Sequence, residues 1–234
     1  MKLYIIRHAD PDYPNNTITP AGHIEAQALA RRMKKAGLTR LYSSPLGRAR
    51  DTAQYTAEAT GLTPEILPWT AEISVPHVTG INGNKLTVWD IEGEVIRGGN
   101  EIPTRTNWHQ LPELSGFDYK AVFQGVRDSS DEFLAGLGYK REGGVYHGSS
   151  DNKEQVAVVC HGGLGGWWIA HLLEIPLSLV WCGFFLPPSS VSTILMEHRS
   201  PEIAVPRLTG LGDVSHIYAE NLPQNTRGLL TNID

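Results

Sequence analysis

Four residues from three separate stretches share one chemical character. Arg7 and His8 follow the apolar run Leu3-Tyr4-Ile5-Ile6, Arg48 lies in SSPLGRARDTA, and His161 follows QVAVVC. Two guanidiniums and two imidazoles in one pocket suit a phosphomonoester dianion. A neutral imidazole nitrogen is nucleophilic near neutral pH and can attack phosphorus directly. The arginines and the second imidazole would then stabilise charge on the equatorial oxygens, the main electrostatic task in phosphoryl transfer. Arginine suits that task because its planar, permanently charged fork matches phosphate oxygens. Taken singly, each histidine is an ordinary loop-start residue and Arg48 an ordinary surface arginine. Their joint placement carries the reading. Arg50 is read as a solvated surface residue. The set still lacks a proton donor for a leaving alkoxide.

The elements that must position these residues alternate in type. Lys2–Arg7 reads as a buried strand, and Asp10–Asn16, rich in Pro, Asp and Asn, as a loop. Thr19-Pro20 supplies a cap and a first-turn proline for a helix whose apolar face is Ile24, Ala28, Leu29 and Met33, stopped at Gly37. A strand at Leu41-Tyr42 follows. Ser44-Pro45 then reads as a second cap-and-proline start, Gly61 as its end, and Thr63–Leu67 as a third strand. This alternation predicts an α/β fold with a mostly parallel sheet covered by helices. Residues 73–117 read as an irregular insertion over the sheet. A helix is expected over Asp118–Leu137 with Val122, Val126, Phe133 and Leu137 on one side, then the strand Gln155–Cys160. An apolar helix runs through Trp167–Leu173 to Pro176, and strands are expected over Val191–Glu197 and Ile203–Leu208. His8 and His161 thus both stand at carboxyl ends of strands, where open parallel sheets bind ligands. Arg48 sits in the first turn of a helix, where free amides and the macrodipole already favour anions.

Composition sets bounds. The 234 residues are 41% hydrophobic and 19% charged, an ordinary globular balance, and the length suits one sizeable domain with a large insertion. A formal net charge of −5 gives no basic footprint, so nucleic acid is not expected as a partner. No stretch reaches membrane-spanning length, and the apolar start MKLYII is too short for a signal peptide. Two cysteines, Cys160 and Cys182, form no disulfide framework and suit a reducing, cytoplasmic setting. Trp181, Phe184 and Phe185 are apolar enough for a subunit interface and equally for a core.

RHAD at residues 7–10 resembles the RHG signature of the histidine phosphatase (phosphoglycerate mutase-like) superfamily. ITPAG at 18–22 is similar to its helix entry, SSPLGRARDTA at 43–53 to its second-arginine motif, and VVCHGG at 158–163 to its second-histidine motif. The four occur in the family's order. The resemblance implies a single three-layer domain over residues 1–234, with the insertion at about 73–117, and a small phosphorylated substrate. It also implies that His8 becomes phosphorylated while Arg7, Arg48, His161 and Gly162 bind phosphate, with His161 a catalytic group as well. The family's acid/base carboxylate follows the strand after the second-arginine helix, which points to Glu72, with Glu65, Asp90 and Glu92 as competitors. Ala9 stands where the family has glycine, and Asp10-Pro11 replaces its usual acidic-then-hydroxyl pair. Glu25 occupies a position often held by glutamine. Paired arginines of the phosphoglycerate mutase kind are missing, which favours hydrolysis over mutase chemistry.

Three other readings compete. His8-Ala9-Asp10 with His161 has metal-ligand chemistry, but Arg7 is a poor neighbour for a cation, and neither a metal nor a cofactor is expected. HGGLGG fails as a dinucleotide loop, since position 168 is tryptophan rather than glycine. Its glycines allow close backbone approach to a phosphate and tight helix–sheet packing. A non-enzymatic binding module would not need all four phosphate-pocket residues. Trp69, Trp89, Trp108 and Tyr119 are candidates for the substrate mouth, or for core.

Overall fold

Along Lys2–Arg7 (β1) the side chains alternate between two apolar clusters, Leu3 and Ile5 entering one and Tyr4 and Ile6 the other. A strand buried on both faces belongs in the middle of a helix-covered sheet. The structure, a computed structural model, describes residues 1–229. After β1 the expected loop contains a small hairpin, Pro11–Asp12 (β2) with Thr17–Ile18 (β3), and then comes Pro20–Ala36 (α1). The Thr19 hydroxyl caps α1 by accepting from Gly22 N at 3.0 Å, and Gly37 closes it at φ 71°. The buried stripe of α1 runs through Gly22, Glu25, Ala26, Leu29 and Met33. Ile24 was expected on that face but falls off its three-four spacing and is 49% exposed.

Arg40–Ser43 (β4) leads to Gly47–Thr60 (α2). Ser44-Pro45 does not cap this helix, contrary to the sequence expectation; Leu46 is its N-cap and makes no side-chain cap bond. The Ser44 hydroxyl is committed elsewhere, to His161. The third strand shrinks to Glu65–Ile66 (β5). Residues 73–117 carry a hairpin, Val78–Thr79 (β6) and Lys85–Leu86 (β7), the short helix Gly93–Arg97 (α3) and two 3-10 turns. Tyr119–Gly136 (α4) follows, capped by Asp118, and buries Tyr119, Phe123, Val126, Ser130 and Leu134; of the expected face, Val126 and Leu137 are core and Val122 and Phe133 pack partly buried against it. A hairpin that sequence reasoning missed comes next, Lys140–Glu142 (β8) with Val145–His147 (β9). The chain ends with Gln155–Cys160 (β10), Gly162–Leu173 (α5), Leu177–Gly183 (α6), Val191–His198 (β11), Ile203–Asp213 (β12) and Ser215–Ala219 (α7).

Eight strands form one sheet in the order β5-β4-β10-β1-β11-β12-β9-β8. The four from β5 to β1 are parallel to one another, and the pairings from β1 outward to β8 are antiparallel. Residues of α1 and α2 pack on one face with Tyr4, Ile6, Ala157 and Val159. On the other face, α4, α5 and α6 pack with Leu3, Ile5, Val156 and Val158. This is the expected three-layer α/β arrangement, and its parallel half is the part that matters for the site. There β4, β10 and β1 lie side by side with their carboxyl ends level: His8 N donates to Cys160 O at 2.9 Å and Ser44 N to Val159 O at 2.8 Å. Three loops therefore start from one line.

Candidate active site

The residues just past those three strand ends share one space. Arg7 pairs with Cys160 across the β1–β10 ladder, so His8 and His161 leave the sheet as neighbours, their ring centroids 5.1 Å apart. Both rings are buried, His8 at 2% exposure and His161 at 0%. His8 Nδ1 lies 2.7 Å from Ala9 O, a partner that can only accept, so the ring proton belongs on Nδ1. The other nitrogen, Nε2, then carries a lone pair and accepts from Arg48 Nε at 3.3 Å. Burial, helped by the adjacent Arg7 and Arg48 charges, pushes the His8 pKa down to about 3. His161 is lowered to about 2, by burial first and then by His8 and the two arginines. Both imidazoles are therefore neutral in the empty site. His161 Nε2 lies 2.6 Å from Ser44 Oγ, while its Nδ1 is buried without a protein partner.

The cations flank His8. Arg7 donates through Nη1 to Leu186 O at 2.6 Å, and its Nε has no partner. Its guanidinium lies against the start of α5, where a Cβ on Gly162 would stand only 3.3 Å from Arg7 Cδ and Nε. Arg48, the second residue of α2, is oriented by Asn16 Oδ1 at 3.2 Å and by the Tyr13 ring, 5.4 Å from the guanidinium carbon. Arg50, two residues on, is exposed and is not among the residues that line the cavity described below.

Glu72 closes the ring of groups. Its Oε1 accepts from Leu164 N at 2.8 Å and Ile73 N at 3.0 Å, and its Oε2 accepts from Gly163 N at 3.2 Å. Two of these donors are free amides of the first turn of α5, an anion-favouring position. Burial nevertheless raises the Glu72 pKa above the usual carboxylate range, against the pull of the three amides. Only glycine fits at 163, because a Cβ there would come within 2.7 Å of Glu72 Oε1 and 2.9 Å of the Trp89 ring. The competing carboxylates are dispersed. Asp90 also faces the cavity, bonded to the Thr87 hydroxyl. Glu92 accepts from Ile81 N at 3.2 Å and Glu65 lies exposed on β5, neither lining the cavity.

Arg7, His8, Arg48, Glu72 and Gly162 line a single cavity of about 510 Å³; His161, fully buried beside His8, is not among the residues that line it. Of the aromatics considered for the mouth, only Trp89 lines it. Trp108 and Tyr119 are core, at 4% and 3% exposure, and Trp69 packs edge-on against Trp168. Trp181, Phe184 and Phe185 line the cavity instead. Several contributors were missed in the sequence. Ser44 read as a helix cap, and Tyr13 and Asn16 as loop. The segment after α7 gave no signal at all, yet Gly228 lines the cavity and Asn225 and Arg227 bind Asp10 at 2.8 and 3.0 Å. Asp10 also accepts from the Thr19 hydroxyl at 2.7 Å, so its oxygens are committed away from metal-ligand chemistry. Among the described residues, no group of three or more His, Cys, Asp and Glu side chains is placed to hold a metal ion. None of their helices is long and apolar enough to cross a membrane.

Residues 3–88 match the family model described as histidine phosphatase superfamily (branch 1). A probable phosphoglycerate mutase of Serratia proteamaculans is 33% identical over 70 residues, which is 26% of this chain and 33% of that protein. One from Escherichia fergusonii is 28% identical over 96 residues, 37% of this chain and 45% of that protein. The chain thus spans a third to under half the length of these curated relatives. Likeness in fold extends further. A phosphoserine phosphatase of Entamoeba histolytica, solved with 3-phosphoglyceric acid, superposes with TM-score 0.61 at 20% identity, covering 92% of this chain and 98% of that one. A mycobacterial glucosyl-3-phosphoglycerate phosphatase gives TM-score 0.60 at 22% identity, covering 90% and 98%.

Proposed function

We propose that the chain is a member of the histidine phosphatase superfamily, whose model its residues 3–88 match, and a phosphomonoester hydrolase working through phosphate on His8. The observation that carries this is the unprotonated Nε2 of His8, bonded to Arg48 Nε and under the charge of Arg7, with its proton fixed on Nδ1. Arg7 and Arg48 draw in the phosphate dianion, and Arg48 exchanges its bond to Nε2 for phosphoryl oxygens. His161, whose ring centroid lies 5.1 Å from that of His8 and whose Nδ1 has no protein partner, is assigned to the phosphoryl oxygens as the second imidazole, with Ser44 Oγ holding its Nε2. His8 Nε2 attacks phosphorus, the bond from phosphorus to the alcohol oxygen breaks, and Glu72 gives its proton to the leaving alkoxide. Of the four acceptor positions of Glu72, three are filled by backbone amides, so the proton rides on the remaining position of Oε2. Water then attacks the phosphohistidine, Glu72 takes its proton, and inorganic phosphate leaves with His8 restored.

The two guanidiniums do the electrostatic work that a metal ion does in other phosphatases. Both are needed for the phosphoryl group, which leaves no cation for gripping a phosphoglycerate in the manner of a mutase. Hydrolysis is therefore favoured over phosphoryl return to product. We read the chain as a single catalytic domain, with 73–117 supplying Asp90 and the Trp89 wall of the mouth. The test is release of phosphate from p-nitrophenyl phosphate after exhaustive chelation. Undiminished turnover is expected; loss on chelation with recovery on Zn²⁺ or Mn²⁺ would replace this reading with a metal-dependent one.

A further inference from the structure

The cavity is larger and less polar than a phosphoryl group requires. Its volume of about 510 Å³ falls within the range of sites that enclose drug-sized ligands. The phosphate end is built by Arg7, His8 and Arg48. Away from it, three segments give the wall apolar residues, Val75 and Trp89 from the insertion, Ile169 and Val180 from α5 and α6, Phe184 and Leu186 from the loop after α6, with the uncharged Ser74 and Thr87 among them.

Charge is distributed just as unevenly. Arg7 and Arg48 are the only lysine or arginine side chains among the described residues lining the cavity. His77 lines it too, as an exposed residue. Arg227 lies near Gly228 but is tied to Asp10 at 3.0 Å and to Pro11 O at 3.0 Å. The other acidic or basic chains on the wall are the carboxyl groups of Glu72 and Asp90. A second anion on the substrate would thus meet no free guanidinium, would face Asp90, and would lose its water against hydrocarbon. Burying an unpaired charge is costly.

We infer that the alcohol half of the substrate is an uncharged, largely apolar group, an arylalkyl or branched hydrocarbon alcohol carrying neither a carboxylate nor a second phosphate. The inference rests on the phosphatase reading above and names the substrate class for that site. Binding places the phosphate between the arginines and the hydrocarbon against Trp89, Val180 and Phe184.

Four phosphomonoesters of primary alcohols test it: propyl phosphate, 3-phenylpropyl phosphate, the same ester with a para carboxylate on the ring, and 3-phosphoglycerate. The first three have alkoxides of nearly equal basicity, so differences in kcat/KM report the pocket. The phenyl ring should raise kcat/KM about 10- to 10²-fold over propyl phosphate, the return expected from burying one large apolar group. The para carboxylate should cancel most of that gain, and 3-phosphoglycerate should fall below 3-phenylpropyl phosphate. Phe184→Ala should shrink the phenylpropyl-to-propyl ratio severalfold. Phosphate on His8 from p-nitrophenyl phosphate is measured in parallel. If His8 is labelled but 3-phosphoglycerate or the carboxylated ester equals or exceeds the phenylpropyl ester, the substrate class is wrong and the phosphatase reading stands. If no ester labels His8, the phosphatase reading fails and takes the inference with it.

Discussion

Replacing Glu72 with glutamine removes a proton while leaving the side chain nearly the same size. Three backbone amides point at two carboxylate oxygens, and glutamine offers only one. Its oxygen at the Oε1 position keeps the bonds from Leu164 N and Ile73 N, at 2.8 and 3.0 Å, and turns the amide nitrogen toward Gly163 N, 3.2 Å from the present Oε2. One buried donor then loses its acceptor, which costs ~1–3 kcal/mol. In a domain of this size each kcal/mol lowers Tm by roughly 2–4 °C, so the variant remains folded at assay temperature. Its chemistry should change far more. Without the general acid, His8 phosphorylation by an alkyl phosphate should slow by ~10²–10⁴-fold. Nitrophenolate leaves without a proton, so the same step with p-nitrophenyl phosphate should slow much less. Rapid-quench burst kinetics with both substrates separates this step from dephosphorylation, where Glu72 acts as the base. Equal losses in the two bursts would refute the assignment. Asp90, which also faces the cavity, would then be the carboxyl group to replace.

Two further outcomes are expected. Arg48→Ala should lower kcat/KM by about 10²-fold or more, the usual effect of removing one preorganised charge donor, while the exposed Arg50→Ala changes it little; equal effects would show the register of the motif misread. The acid limb of the burst should not follow an ordinary histidine. His8 is held at about 3 in the empty site, so its nucleophilic form persists through mildly acidic pH, and the upward shift of Glu72 by burial favours its proton-donating form as pH falls. After correction for the substrate's own ionisation near pH 6, the burst should stay level from about pH 7 to about pH 5. A fall with a midpoint near 6.5, where an unperturbed imidazole titrates, would contradict this.

The parts of the site legible in the sequence were those whose signal is local. A run such as QVAVVC can only be a strand buried on both faces, and a polar residue at its carboxyl end marks a loop at the sheet edge. His8 and His161 were placed together by that reasoning. What was illegible depends on tertiary partners. Ser44 carries a valid helix-cap signature, and only the neighbouring strand β10 brings His161 close enough to claim its hydroxyl. The antiparallel half of the sheet was under-read because β8 and β9 are three residues each and lack a long apolar run. Aromatic residues could not be sorted between core and mouth by type. Trp108 is locked among Phe123 and Trp181, whereas Trp89 is held at the cavity by the missing side chain of Gly163. The approach of Asn225 and Arg227 to Asp10 spans more than two hundred residues and leaves no periodic trace.

The central claim is that phosphate passes through Nε2 of His8. The direct measurement is a millisecond acid-free denaturing quench of the enzyme with ³²P-labelled phosphomonoester, followed by peptide mapping. Label is expected on the peptide holding Arg7-His8, stable to alkali and lost in acid, and absent from His8→Ala. Label on a serine, a carboxylate or His161, or a product burst with no trapped phosphate at all, would contradict the account.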